Sequence, residues 1–99
     1  MKATKSRTGA VREEHVAALK ALAHPGRLEL FFHLVRSKGE ATPGELQEAR
    51  AIPAPTLSHQ LDQLWRAGLL NRRREERHIY YNVHKPAVSD LVRLLTACC

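Results

Sequence analysis

Cysteine is nearly missing from this chain of 99 residues: there are two, Cys98 and Cys99. They are adjacent and enclose no loop, so a disulfide framework of the kind that holds small secreted domains together is excluded. Long apolar runs are absent as well. No stretch approaches the ~20 residues needed to span a bilayer, and no apolar segment follows the basic start Met1-Lys2-Ala3-Thr4-Lys5 as a signal peptide requires. A cytoplasmic protein that needs no membrane partner is the expectation, with its thiols reduced. Acidic residues are under-represented, with 10 Asp+Glu against 16 Lys+Arg and a formal charge of +6. The length leaves no room for separate cofactor and substrate domains, and 43% hydrophobic residues exclude disorder as the whole answer. What remains is one small basic domain that buries further apolar surface against a second copy.

The positive charge is concentrated. Residues 71–85 carry Arg72, Arg73, Arg74, Arg77 and Lys85 against Glu75 and Glu76, while the stretch from Ala51 to Leu70 holds only Asp62 and Arg66. Residues 1–10 read as a mobile basic arm, and 11–99 as the folded domain. A basic excess of this kind points to polyanions, nucleic acid before acidic membrane.

Periodicity predicts the elements. Val11, His15, Leu19 and Leu22 mark a first helix over about 11–23. Pro25 opens a second, to about Lys38, whose Leu28, Leu30, Phe31, Phe32, Leu34 and Val35 make it the candidate core helix. Thr42-Pro43-Gly44-Glu45 has the form of a capping box and starts a short third helix to about Arg50. After two prolines, Leu57, Leu61, Leu64 and Trp65 give a fourth helix, from Ala54 to a stop at Ala67-Gly68. Leu69 to Glu75 and Arg77 to Val83 read as paired strands, with Glu75-Glu76 as the turn. A last helix from Pro86 carries Val88, Leu91, Leu95 and Cys98. The fold class is mainly α with a β-hairpin, in the order α-α-α-α-β-β-α: a winged helix-turn-helix.

In that architecture the second helix of the helix-turn-helix lies in the major groove. Its early positions Thr56, Ser58, His59, Gln60 and Gln63 are the candidate base-reading residues, since amides and hydroxyls pair with base edges. They are uncharged, so affinity falls to Arg72, Arg73, Arg74 and Arg77 on the hairpin, aimed at phosphates. Catalysis finds no support. Ser58 and His59 diverge by about 100° on one helix, and no nucleophile and base come together.

Leu22-Ala23-His24-Pro25-Gly26-Arg27-Leu28 resembles the A-x-P-x-R-L segment of ArsR/SmtB-family repressors. The stretches Ala54 to Leu61 and Leu64 to Leu70, and the wing Arg72 to Arg77 with Ile79-Tyr80-Tyr81, resemble the same family over residues 11–97. The resemblance implies a homodimer through the first and last helices, an inverted-repeat operator, and repression relieved by an inducer, often a metal or metalloid. Two departures stand out: Pro53 occupies the position of a capping Ser, and Glu76 that of a wing Gly.

The family's familiar metal positions are missing. Gly39 to Leu46 holds no Cys, and the last helix offers Asp90 with no His. Cys98 and Cys99 are therefore the candidate metal ligands. Soft trivalent As(III), methylated As(III) or Sb(III) would suit paired thiolates as an inducer. The competing readings are packing and terminal thiols, a thiol-redox or non-metal signal, or a winged helix that binds protein instead of DNA.

Overall fold

The computed structural model describes residues 11–97; the basic arm 1–10 and the Cys98-Cys99 pair lie outside the described residues. The order along the chain is α1 (Glu13–Leu22), α2 (Pro25–Ser37), α3 (Pro43–Arg50), α4 (Ala54–Arg66), β1 (Leu70–Glu75), β2 (His78–Val83) and α5 (Lys85–Leu95). This is the expected winged helix-turn-helix.

Local chemistry explains the boundaries. The Thr42 hydroxyl accepts the Glu45 N–H at 3.2 Å while the Glu45 carboxylate accepts the Thr42 N–H at 2.9 Å, closing a reciprocal capping box at α3. His24 caps α2, its Nδ1 accepting the Arg27 N–H at 3.3 Å. Gly68 takes φ +83°, a left-handed backbone that reverses the chain after α4 and lets the Leu69 N–H reach the Leu64 carbonyl.

The core is a leucine cluster. Leu30, Phe31 and Leu34 of α2 meet Leu46 of α3 and Leu57, Leu61 and Leu64 of α4, with Leu69, Leu70, Tyr81 and Leu91 closing it. The hairpin is antiparallel, pairing Leu70 with Val83, Arg72 with Tyr81, Arg73 with Tyr80 and Arg74 with Ile79. On the other edge of β2, Ala41 exchanges two backbone hydrogen bonds of 2.9 Å with Tyr81, so the loop before α3 pins the base of the wing.

Three expectations are corrected. The buried face of α1 is His15, Ala18 and Ala21, while Val11 and Leu19 are exposed: small alanines allow close helix approach, and the larger side chains face outward. On α2, Leu28, Phe32 and Val35 are likewise exposed, because that helix is apolar on more of its circumference than the core can cover. The hairpin turn is Glu76-Arg77, one residue later than expected, so Arg77 sits in the turn and β2 begins at His78. Glu76 adopts φ 58°, the left-handed conformation that a two-residue turn requires and that glycine adopts without strain.

Candidate nucleic-acid interface

Helix α4 presents one polar face. Thr56, Ser58 and His59 are exposed and Gln63 is half-buried, as is Asp62, which pairs with Arg66 at 2.6 Å. Its N-cap, Pro53, supplies no side-chain cap. The preceding α3 ends at Ala51 with φ 54°, which sets the tight turn between the two helices.

Gln60 is not on that face. It is 7% exposed and packs inward. Residues 57, 60, 61 and 64 follow the i, i+3, i+4, i+7 stripe of a buried helix face, so Gln60 lies among Leu57, Leu61 and Leu64. That spacing was available in the sequence; the amide's polarity argued the other way. Its Oε1 is buried without a hydrogen-bond partner.

The wing arginines separate into two kinds. Arg74 and Arg77 are exposed and form no ion pair among the described residues. Arg72 lays its guanidinium 3.5 Å from the centre of the Trp65 ring, a cation–π stack that braces the wing on α4. Arg73 is engaged within the protein. Its Nε and Nη2 donate to the two Glu40 oxygens at 3.0 and 2.7 Å, its Nη1 donates to Glu75 at 2.8 Å, and it lies 4.5 Å over the Tyr80 ring. The hydrogen bond from Arg73 holds the Glu40 carboxyl below its ordinary pKa, and Glu40, with Glu75 behind it, pushes the Arg73 pKa up. Arg73 is thus held in an intramolecular clamp, which sets it apart from Arg74 and Arg77 among the expected phosphate ligands. Arginine content alone could not separate the two roles, because Glu40 lies 33 residues away.

A second polar cluster ties α1 to α5. His15 is buried, and its Nδ1 accepts the Arg12 N–H at 3.0 Å. The ring proton therefore sits on Nε2, which donates to Asp90 at 2.7 Å. The Arg12 guanidinium also donates to Asp90. The His15 hydrogen bond, with the charge of Arg12, lowers the Asp90 pKa. Asp90 reads in sequence as a lone carboxylate and is in fact the tie between two helices distant in the chain. Among the described residues no group of three His, Cys, Asp or Glu side chains could hold a metal ion, and no described helix is long and apolar enough to cross a membrane.

A family model described as a helix-turn-helix domain matches residues 22–73, from the end of α1 into the wing. A biofilm growth-associated repressor of Agrobacterium fabrum is 42% identical over 79 residues, 80% of this chain and 66% of that protein. A probable mercury resistance operon repressor of Streptomyces lividans is 39% identical over 75 residues, 76% of this chain and 58% of that protein. The chain thus spans just under two thirds of the first relative's length and a smaller share of the second's. The crystal structure of the transcriptional repressor BigR from Xylella fastidiosa superposes with a TM-score of 0.67 at 35% identity, covering 100% of this chain and 98% of that one. With the helix-turn-helix, the wing and these relatives together, the chain belongs to the ArsR/SmtB family of winged-helix transcriptional regulators, which bind DNA and are not enzymes.

Proposed function

We propose that this chain is a homodimeric repressor that binds an inverted-repeat operator and releases it when a trivalent arsenical or antimonite binds Cys98 and Cys99. The observation that carries the DNA-binding half is the polar, uncharged face of Thr56, Ser58, His59 and Gln63, with a wing whose Arg74 and Arg77 form no ion pair among the described residues. Base edges fall to the helix and phosphates to the wing. Dimerisation is supported by exposed apolar side chains on α1 and just before it, Val11, Val16 and Leu19, and on α5, Val92 and Leu95. A second copy would cover them, and two recognition helices would then face two half-sites.

The inducer rests on chemistry and position. Two adjacent thiolates satisfy the two exchangeable positions of a monosubstituted trivalent arsenical, and in the sequence Cys98 stands three residues after the end of α5. A ligand there would alter the packing of an interface helix and so the spacing of the reading heads. The Streptomyces relative is named for mercury resistance, another thiophilic metal. A second reading, the same repressor answering a different signal, is favoured by the relative named for biofilm growth.

A mobility-shift titration tests both. The chain should retard a duplex taken from upstream of its own gene, and arsenite, methylarsenite or antimonite should release it. Cys98→Ser/Cys99→Ser should bind the duplex but no longer respond. Release of that variant at wild-type inducer concentrations would eliminate the cysteine site, and a wild type that none of these ions releases would leave the second reading.

A further inference from the structure

We infer that the N-terminus of α2, with the Gln60 amide beside it, is a docking site for one DNA backbone phosphate. The inference rests on the DNA-binding reading above and adds to it a site outside the recognition helix and the wing.

The first observation is a concentration of donors without an acceptor. Gly26 is in the first turn of α2, and its N–H has no partner among the described residues. A Cβ at Gly26 would lie 2.5 Å from the Gln60 Nε2, so the amide's donor end is packed against that turn. His24 stands at the same place, its Cε1 3.3 Å from the same point; its Nδ1 accepts the Arg27 N–H, leaving its Nε2 to donate. The partial positive charge of a thirteen-residue helix is added to these groups. An anion oxygen is what such a set binds.

The second observation is Gln60 itself. It is more than nine-tenths buried, and its Oε1 has no partner. A side chain kept only for packing would serve better as Met or Leu, since an unpaired buried carbonyl is costly. The amide is explained if its other end has work at the surface.

The third observation is placement. At about 100° per residue, Gln60 lies about 40° from Thr56, at the edge of the reading face. Trp65 lies about 20° from Ser58 at the opposite edge, and Arg72 stacks on it. The polar face of α4 is therefore bracketed by the wing on one side and the α2 N-terminus on the other. A helix in the major groove has a phosphate backbone on each side. The wing meets one wall and the α2 N-terminus meets the other. A Cβ at Gly26 would meet the Gln60 amide and push it aside.

The test uses the full chain and a duplex from upstream of its own gene, with single methylphosphonates placed in turn at the phosphates flanking each half-site. Gln60→Met conserves volume and removes the unpaired carbonyl. Its melting temperature should equal or exceed that of the wild type, while DNA affinity falls about a hundredfold, the scale of one hydrogen bond to a charged group lost in each half of the homodimer. Gly26→Ala should give the same loss by pushing the amide aside. In the wild type one flanking methylphosphonate, which removes the contact in one half-site, should cost about tenfold, and in Gln60→Met that same substitution should cost much less. Wild-type affinity in Gln60→Met, or an undiminished methylphosphonate cost in it, overturns the phosphate site and leaves the repressor reading intact. A wild-type chain that binds no duplex overturns both.

Discussion

The wing predicts an unequal salt dependence among its arginines. Each phosphate neutralised on duplex DNA contributes about 0.9 to the slope of log K against log salt. Arg74 and Arg77 form no ion pair among the described residues; on the proposed homodimer each supplies one contact per subunit, and a substitution acts twice. Arg74→Ala should flatten the slope by about 1.8, as should Arg77→Ala. Between 50 and 200 mM salt, the wild-type advantage over either variant should shrink by about twelvefold. Arg73 behaves differently because Glu40 already occupies its guanidinium through two hydrogen bonds and Glu75 takes a third. Arg73→Ala should leave the slope nearly unchanged, while Glu40→Gln should steepen it by releasing the guanidinium to DNA. Fluorescence anisotropy with a labelled duplex over four salt concentrations measures all of these. Equal flattening by Arg73→Ala and Arg74→Ala would refute the division between clamp and phosphate ligand.

Asp90→Asn should lower the melting temperature at neutral pH by weakening the tie between α1 and α5. The folded-state pKa of Asp90 is depressed, so its contribution is present above the ordinary carboxylate pKa and is lost as pH falls through the folded value. Melting curves of wild type and variant should therefore converge below about pH 4, and a gap that is independent of pH would contradict the assignment. Glu76→Gly should stabilise the chain by about 1 kcal/mol by relieving a left-handed non-glycine residue; a lower midpoint in urea would show that the turn gains nothing from glycine. The paired cysteine substitution described above should abolish release by trivalent arsenicals while leaving duplex affinity unchanged.

The elements were legible because their signals are local. Thr42-Pro43-Gly44-Glu45 starts a helix by its own hydrogen bonds, and Gly68 ends one by its backbone freedom. The order of helices and strands followed from such stops and starts. What the sequence left open depends on partners distant in the chain. Arg73 and Arg74 are equivalent in composition, and only the approach of Glu40 separates them. Asp90 and His15 lie 75 positions apart, and neither alone signals a link. Gln60 shows a different limit: its residue type pointed outward and its spacing pointed inward, and spacing prevailed because α4 must bury a continuous stripe. On α1 the stripe shifted because alanines, less conspicuous than Val11 and Leu19, made the close contact.

The central claim is sequence-specific DNA binding through the exposed face of α4. Its most direct test compares the affinity of the chain for the duplex upstream of its own gene with its affinity for a random duplex of equal length, at one salt concentration, for wild type and for Ser58→Ala/His59→Ala. The account predicts a marked preference in the wild type that narrows sharply in the variant while affinity for random DNA is kept. Equal affinity of the wild type for both duplexes, or a preference untouched by the substitutions, would contradict it.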